Sequence, residues 1–124
     1  LSASAPATGA NLFVWVVSGT TATPLDVVSS AQATSTTIAL NDIETKASGA
    51  VIALGICSPT ITGFTESWTG SDTVVEDADV TSITGNHRIV ACHFPTAAAN
   101  TTDDLTLTLS ASQIHIGGAI SFGP

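Results

Sequence analysis

The strongest constraint on the fold of this chain is a series of short β-type runs with turn-forming residues between them. Val, Ile, Thr and aromatic residues dominate these runs, and Gly, Pro, Asn, Asp and Ser separate them, which is typical of strands joined by tight connections. The pattern predicts an all-β protein, a two-sheet antiparallel β-sandwich of jelly-roll-like or immunoglobulin-like type with about eight strands. The runs occupy residues 11–17, 24–30, 35–40, 49–57, 60–68, 73–77, 87–94, 104–110 and 113–122.

Length and composition support one β domain. A chain of 124 residues is long enough for one core, and the long side chains that favour helices are scarce. Residues 1–10 (LSASAPATGA) are small, uncharged and without a hydrophobic period, so they predict an extended N-terminal arm or linker. We therefore expect a single β-sandwich domain over residues 11–124.

The charge balance excludes several classes of partner. Lys46 and Arg88 are the only Lys or Arg residues, against ten Asp and Glu, which gives a net charge of −8. Binding to nucleic acid or to an anionic membrane surface needs several cationic contacts, so we expect neither partner. The chain also contains no apolar run near the roughly 18 residues of a membrane-spanning helix.

One stretch, ICSPTITGFTESWTG at residues 56–70, concentrates aromatic and glycine residues. Phe64 and Trp68 are four residues apart and share a face if the segment is extended. Such a pair packs into a core or against a neighbouring subunit, or Trp68 stacks on a sugar as in a carbohydrate-binding module. Trp15, in a run that is apolar on both faces, is a further interface or ligand candidate.

Ionisable clusters offer only weak candidates for chemistry. Glu76, Asp77 and Asp79 could contribute oxygen ligands to calcium, although a solvated acidic loop has the same pattern. A metal site built from histidines would need the three of them to converge from different strands. The chain has no G-x-S-x-G motif, and Cys92 and His93 are adjacent in a strand, so they point to opposite faces. We expect no enzyme activity, no catalytic residue and no cofactor.

The two cysteines lie on separate apolar runs. A disulfide between Cys57 and Cys92 would close a long loop and could contribute a few kcal/mol. The alternative is two buried thiols that behave as small hydrophobic residues. A domain of this length can fold without a disulfide, so both interpretations stay open.

The order of the second half of the chain carries a family resemblance. An uncharged strand (GAVIALGIC) is followed by TGFTESW, a polar loop, HRIVACHF, the alternating DLTLTLS and the small-residue strand IGGAISF. This order resembles the β-sandwich domains of tailed-bacteriophage virion proteins, in head decorations, head fibres and tail fibres. The resemblance covers roughly residues 11–123 and rests on pattern rather than on a diagnostic motif.

The resemblance implies a structural role. Domains of that family dock on other virion proteins, often as homo-oligomers, and some present loops to a host glycan. We therefore expect a non-enzymatic capsid-surface decoration, or a fibre or fibre-base module, located in the virion. A carbohydrate- or receptor-binding β-sandwich module that serves host attachment is the alternative.

Overall fold

A computed structural model describes residues 13–58, 63–81, 87–96 and 101–124. This part of the chain is all-β and contains no helix, so the expected all-β class is confirmed, and no helix in it could cross a membrane. The expected arm at residues 1–10 lies outside these residues. The strands are β1 (Asp26–Ser29), β2 (Ala33–Thr45), β3 (Ala50–Cys57), β4 (Glu66–Gly70), β5 (Val75–Thr81), β6 (Arg88–Pro95) and β7 (Thr101–Phe122).

The seven strands form one antiparallel sheet in which β7 is the common element. The main path runs β1-β7-β3-β6-β5, and β2 and β4 also pair with β7. The first part of β7 lies between β2 and β4, whereas its last eight residues, 115–122, pair with β3 and the last part also with β1. β7 therefore links two groups of strands, and the expected runs 104–110 and 113–122 form one continuous strand.

The boundaries of two other elements differ from the sequence prediction. The described part of the run NLFVWVV, residues 13–17, is not a strand: Trp15 and Val17 border a groove on the face of the sheet, and Val14 and Val16 are exposed. β5 extends to Thr81, although DADV was expected in a loop. An irregularity in the pairing with β6 between Glu76 and Ala78 accommodates this acidic segment within the sheet.

A single apolar cluster forms the core. The backbone of β3 at Gly55 packs closely against core side chains, since a Cβ there would lie 2.5 Å from Leu107 Cδ2 and 3.3 Å from Trp68 Cζ2. At this point β3 therefore lies close to the side chains of Leu107 in β7 and Trp68 in β4. The buried residues of the cluster are Ile38, Leu40, Ile43, Val51, Ala53, Cys57, Phe64, Trp68, Val90, Cys92, Phe94, Leu105, Leu107, Leu109 and Ala119.

Candidate functional site: the outer face of the sheet

The side of β1, β3, β6 and the last part of β7 (residues 114–122) that points away from the core is largely apolar, and we call it the outer face. In β3 the odd-numbered residues are buried in the core, so Ile52, Leu54 and Ile56 point the other way. The register places β7 residues Ile120, Gly118 and Ile116 beside them, and Val27 of β1 lies next to Ile120. No Asp, Glu, Lys or Arg occupies an outer-face position on β1, β3, β6 or residues 114–122 of β7, and the exposed Asp104 lies in the first part of β7, outside the outer face.

Several of these aliphatic side chains are open to solvent. Val27 is 68% exposed, Ile114 is 51% exposed and Ile116 is 45% exposed. An antiparallel sheet with one solvated face normally alternates apolar and polar residues, and this one has apolar residues on both faces. Large contiguous exposed apolar surfaces are rare on monomeric proteins and are typical of protein-interaction or ligand-binding surfaces.

Residues 13–17, which we call the strap, line the part of the outer face near Ile52. Trp15 Nε1 donates a 2.8 Å hydrogen bond to Asp77 Oδ2, and the other oxygen of that carboxylate lies 2.7 Å from His93 Nδ1. Phe13 stacks on the indole with a 5.9 Å separation between ring centroids. The strap thus has a defined polar attachment to β5 and β6.

Shallow grooves connect the strap with the rest of the outer face. One of about 360 Å³ lies beneath Trp15 and is bordered by Ile52, Asp77 and His93. A second of about 320 Å³ lies between Trp15 and β1, and a third of about 250 Å³ follows β3 and β7 past Leu54 and Gly118. The strap leaves the Leu54 end of the outer face uncovered.

The aromatic pair singled out in the sequence lies on the opposite side, in the core. Phe64 is 5% exposed and Trp68 is 8% exposed, and both belong to the core cluster. Their shared face is therefore an inward one. The Trp68 indole is closed off by packing, whereas Trp15, the third candidate, is half-buried beside an open groove.

The three carboxylates considered for calcium do not converge. Asp77 contacts Trp15 and His93, whereas Asp79 pairs with Arg88. Within the described ranges, no group of three or more His, Cys, Asp or Glu side chains is placed to hold a metal ion. The acidic segment lies in a strand, where neighbouring side chains point in different directions.

The two cysteines are free and buried, so the disulfide left open by the sequence is not formed. The ladder explains why: Cys92 pairs with Ala53, and Cys57 pairs with Arg88. Four ladder steps separate the two thiols, roughly 13 Å along the strands, well beyond disulfide reach. Burial raises the pKa of Cys57 to about 11 and that of Cys92 to about 12.

An ionic cluster at one end of the core was not foreseen from the sequence. Arg88 Nη2 lies 2.5 Å from Glu66 Oε1 and also contacts Asp79, so two carboxylates share one guanidinium. Burial of the Glu66 side chain, with Asp79 close by, raises the pKa of Glu66 to about 7. The three residues come from β4, β5 and β6, and β4 pairs with neither of the other two strands, so no local sequence motif signals the contact.

Two serine–histidine pairs have the spacing of a nucleophile and a base. Ser35 Oγ lies 2.8 Å from His115 Nε2, but it also donates to the Thr37 carbonyl and accepts from the Thr37 amide. These hydrogen bonds stabilise the irregular pairing of β2 with β7 between Ser35 and Thr37. Ser58 Oγ and His87 Nδ1 form the second pair, 2.7 Å apart and exposed. Spacing alone does not make either pair catalytic.

Comparisons with known protein families, sequences and structures found no match for this chain. No protein-family model matches it, and neither a curated protein nor a solved structure matches it significantly. The outer face therefore has to be interpreted from its own geometry and chemistry.

Proposed function

We propose that this chain is a non-catalytic structural module that packs against other proteins of a larger particle through its outer face. The observation that carries the proposal is the apolar outer face, which bears no Asp, Glu, Lys or Arg side chain on its four strands. Removing a large aliphatic side chain fully from water stabilises a complex by about 1.5–3 kcal/mol. Even partial burial of Val27, Ile114 and Ile116 would contribute several kcal/mol in sum.

The particle we propose is the virion of a tailed bacteriophage, with the chain as a capsid-surface decoration or a fibre or fibre-base module. The order of strand types in the second half of the chain supports this location through its resemblance to such domains. The net charge of −8 agrees with a surface that contacts protein rather than nucleic acid.

For the fold, we propose a two-layer, jelly-roll-like sandwich. The two parts of β7 would belong to different layers, with β2 and β4 in one and β1, β3, β6 and β5 in the other. The close approach of Gly55 to Leu107 across the core supports two layers packed face to face.

Mass spectrometry of purified particles from cells that carry this gene tests the location. We expect peptides of the chain in a fixed ratio to the major capsid protein. Particles assembled with Ile116→Asp, which adds a charge to the outer face, should lose the chain, and particles with Thr108→Asp should keep it. Thr108 is an exposed residue of the same strand, outside the outer face. Particles that lack the wild-type chain would contradict the proposal.

A carbohydrate-binding module is the second candidate, and the groove beneath Trp15 favours it. An indole beside a carboxylate and an imidazole offers a stacking surface and polar partners for a sugar. Glycan-array binding that Trp15→Ala abolishes would support this function. Trp68 is in the core, so binding lost through Trp68→Ala must be checked against loss of folding. An array with no signal for the wild-type chain would remove the candidate.

A further inference from the structure

We propose that the outer face pairs with the outer face of a second copy of this chain to form a symmetric dimer. The inference rests on the proposed function, in which this face is a docking surface, and it names the partner. A two-fold symmetric interface places the same patch of both copies in contact, so the patch must be complementary to itself. The distribution of charge, the shape of the patch and its size bear on that requirement.

The distribution of charge favours a second copy. A chain of net charge −8 repels its own copies, so two chains can meet closely only where neither presents a carboxylate. The outer-face positions of β1, β7, β3 and β6 satisfy this condition. Asp77 at the margin is already held by Trp15 and His93. Contact between two outer faces therefore brings no like charges together in its centre.

The shape of the patch is also suited to self-pairing. Gly118 lies beside Leu54 and between Ile116 and Ile120 on β7, so the missing side chain leaves a trough flanked by aliphatic ridges. This trough is part of the groove of about 250 Å³ along β3 and β7. In a two-fold arrangement, the ridge formed by Ile56 and Ile116 of one copy can enter the trough of the other, and the reverse contact follows by symmetry.

The size of the patch indicates a moderate affinity. β3, β6 and the part of β7 that pairs with β3 are eight residues long and β1 is four, so at about 4.8 Å between strands and about 3.3 Å per residue the patch spans at most roughly 20 by 26 Å. Pairing two such faces buries on the order of 1,000 Å² in total, near the lower limit for specific interfaces. Exposed Val14 and Val16 on the strap add apolar surface at the margin. We expect a dimer that forms at micromolar concentration.

Sedimentation velocity of the full chain from about 1 to 200 µM tests this pairing, a range that brackets a micromolar Kd. The wild-type chain should shift from monomer to dimer. Ile116→Asp buries an unpaired carboxylate at the contact and should weaken dimerisation by about 100-fold or more. Thr108→Asp adds the same charge to the same strand outside the patch, and we expect a change of about threefold or less.

A second variant distinguishes loss of dimerisation from misfolding of Ile116→Asp. Ile114→Asp lies at the end of the patch at a more exposed position, and it should also abolish the dimer while the circular dichroism spectrum stays that of the wild type. A wild-type chain that remains monomeric to about 200 µM overturns the proposal. So does a dimer that persists in both Asp variants, because another surface would then form it.

Sedimentation and particle incorporation together distinguish failure of the second-copy proposal from failure of the proposed function. A monomeric wild-type chain that is nonetheless incorporated into particles, and lost from them on Ile116→Asp, means that the partner is a different virion protein. That outcome overturns the second-copy proposal and leaves the proposed function standing. A dimer sensitive to Ile116→Asp in a chain absent from particles supports the pairing and contradicts the virion role.

Discussion

The two faces of β3 have similar composition and opposite surroundings. Val51, Ala53 and Cys57 point inward and are buried by β2, β4 and the first part of β7, whereas Ile52, Leu54 and Ile56 point outward. The inward residues find their packing partners within the chain. Among the described residues, the outward side chains border the strap at one end and an open groove at the other. Hydrophobicity alone therefore does not distinguish the core face of β3 from its outer face; the topology does.

Truncating one leucine on each face tests this difference most strongly. Leu107 is fully buried, so Leu107→Ala should lower the free energy of unfolding by about 2–5 kcal/mol. Leu54 is only half-buried in the monomer, and Leu54→Ala should cost about 1 kcal/mol or less under dilute conditions. Urea unfolding measures both. Equal losses would show that the two faces are equally packed within one chain.

Replacing one glycine on each face of the sheet should give the next largest difference in stability. A methyl group at Gly55 would meet Leu107 at 2.5 Å, so Gly55→Ala should destabilise the chain by about 1–3 kcal/mol through overpacking. At Gly118 the nearest atom to the added Cβ is a carbonyl oxygen of Val28 at 3.3 Å, and we expect a change within about 0.5 kcal/mol. Thermal unfolding compares the pair, and a larger loss at Gly118 would contradict the packing described for the outer face.

The ionic cluster at the end of the inner face predicts a pH dependence. The pKa of Glu66 is about 7 in the folded chain, against an ordinary value of 4.5, because burial and Asp79 disfavour its charge. The folded state therefore holds a proton that the unfolded state releases, and stability falls as pH rises from about 4.5 through about 7.

Glu66→Gln removes that titration while keeping the shape of the side chain. The melting temperature of the wild-type chain should fall relative to that of Glu66→Gln between pH 5 and pH 8, by several degrees. Parallel curves for the two proteins across this range would show that Glu66 does not titrate as its surroundings indicate.

The attachment of the strap should contribute a smaller amount. Asp77→Ala removes the acceptor of the Trp15 indole, which should cost about 1 kcal/mol and expose the ring. In a Trp68→Phe background Trp15 is the only tryptophan, so its fluorescence emission reports on the strap alone. We expect a shift to longer wavelength on Asp77→Ala. Unchanged emission would indicate that the strap is held by apolar contacts only.

The smallest expected effect is that of a reductant. Cys57 and Cys92 are both on the inner face and four ladder steps apart, so neither contributes a disulfide. Dithiothreitol should leave the melting temperature unchanged, and a thiol reagent at pH 8 should react with both cysteines only after unfolding, because burial keeps their pKa values near 11 and 12. A fall in melting temperature on reduction would show that a disulfide exists.

The all-β class could be predicted from the sequence because strand residues and turn signals act locally. The buried Leu105, Leu107 and Leu109 follow directly from the alternation in DLTLTLS. The run GAVIALGIC is apolar on both faces, but only one of its faces is buried in the core. Its even-numbered residues are as apolar as its odd-numbered ones, so periodicity could not identify the outer face.

The elements that the sequence did not reveal depend on long-range pairing. Trp15 was expected in a strand, but the position of the strap depends on Asp77, 62 residues away. The sequence left open whether Phe64 and Trp68 face a core, a neighbouring subunit or a sugar; both belong to the core cluster, where the pairing of β4 with β7 places Trp68. The contact of Glu66 with Arg88 likewise depends on strand order.

Side-chain labelling of the assembled chain tests the central claim most directly, namely that the outer face is a protein-docking surface. Photochemically generated carbene labels exposed side chains, and mass spectrometry locates the label on free chain and on chain in concentrated solution or in particles. We predict that labelling of Leu54 and Ile116 falls severalfold on assembly, while labelling of Thr108 stays constant. Equal labelling of all three residues in the free and assembled states would contradict a docking role for the outer face.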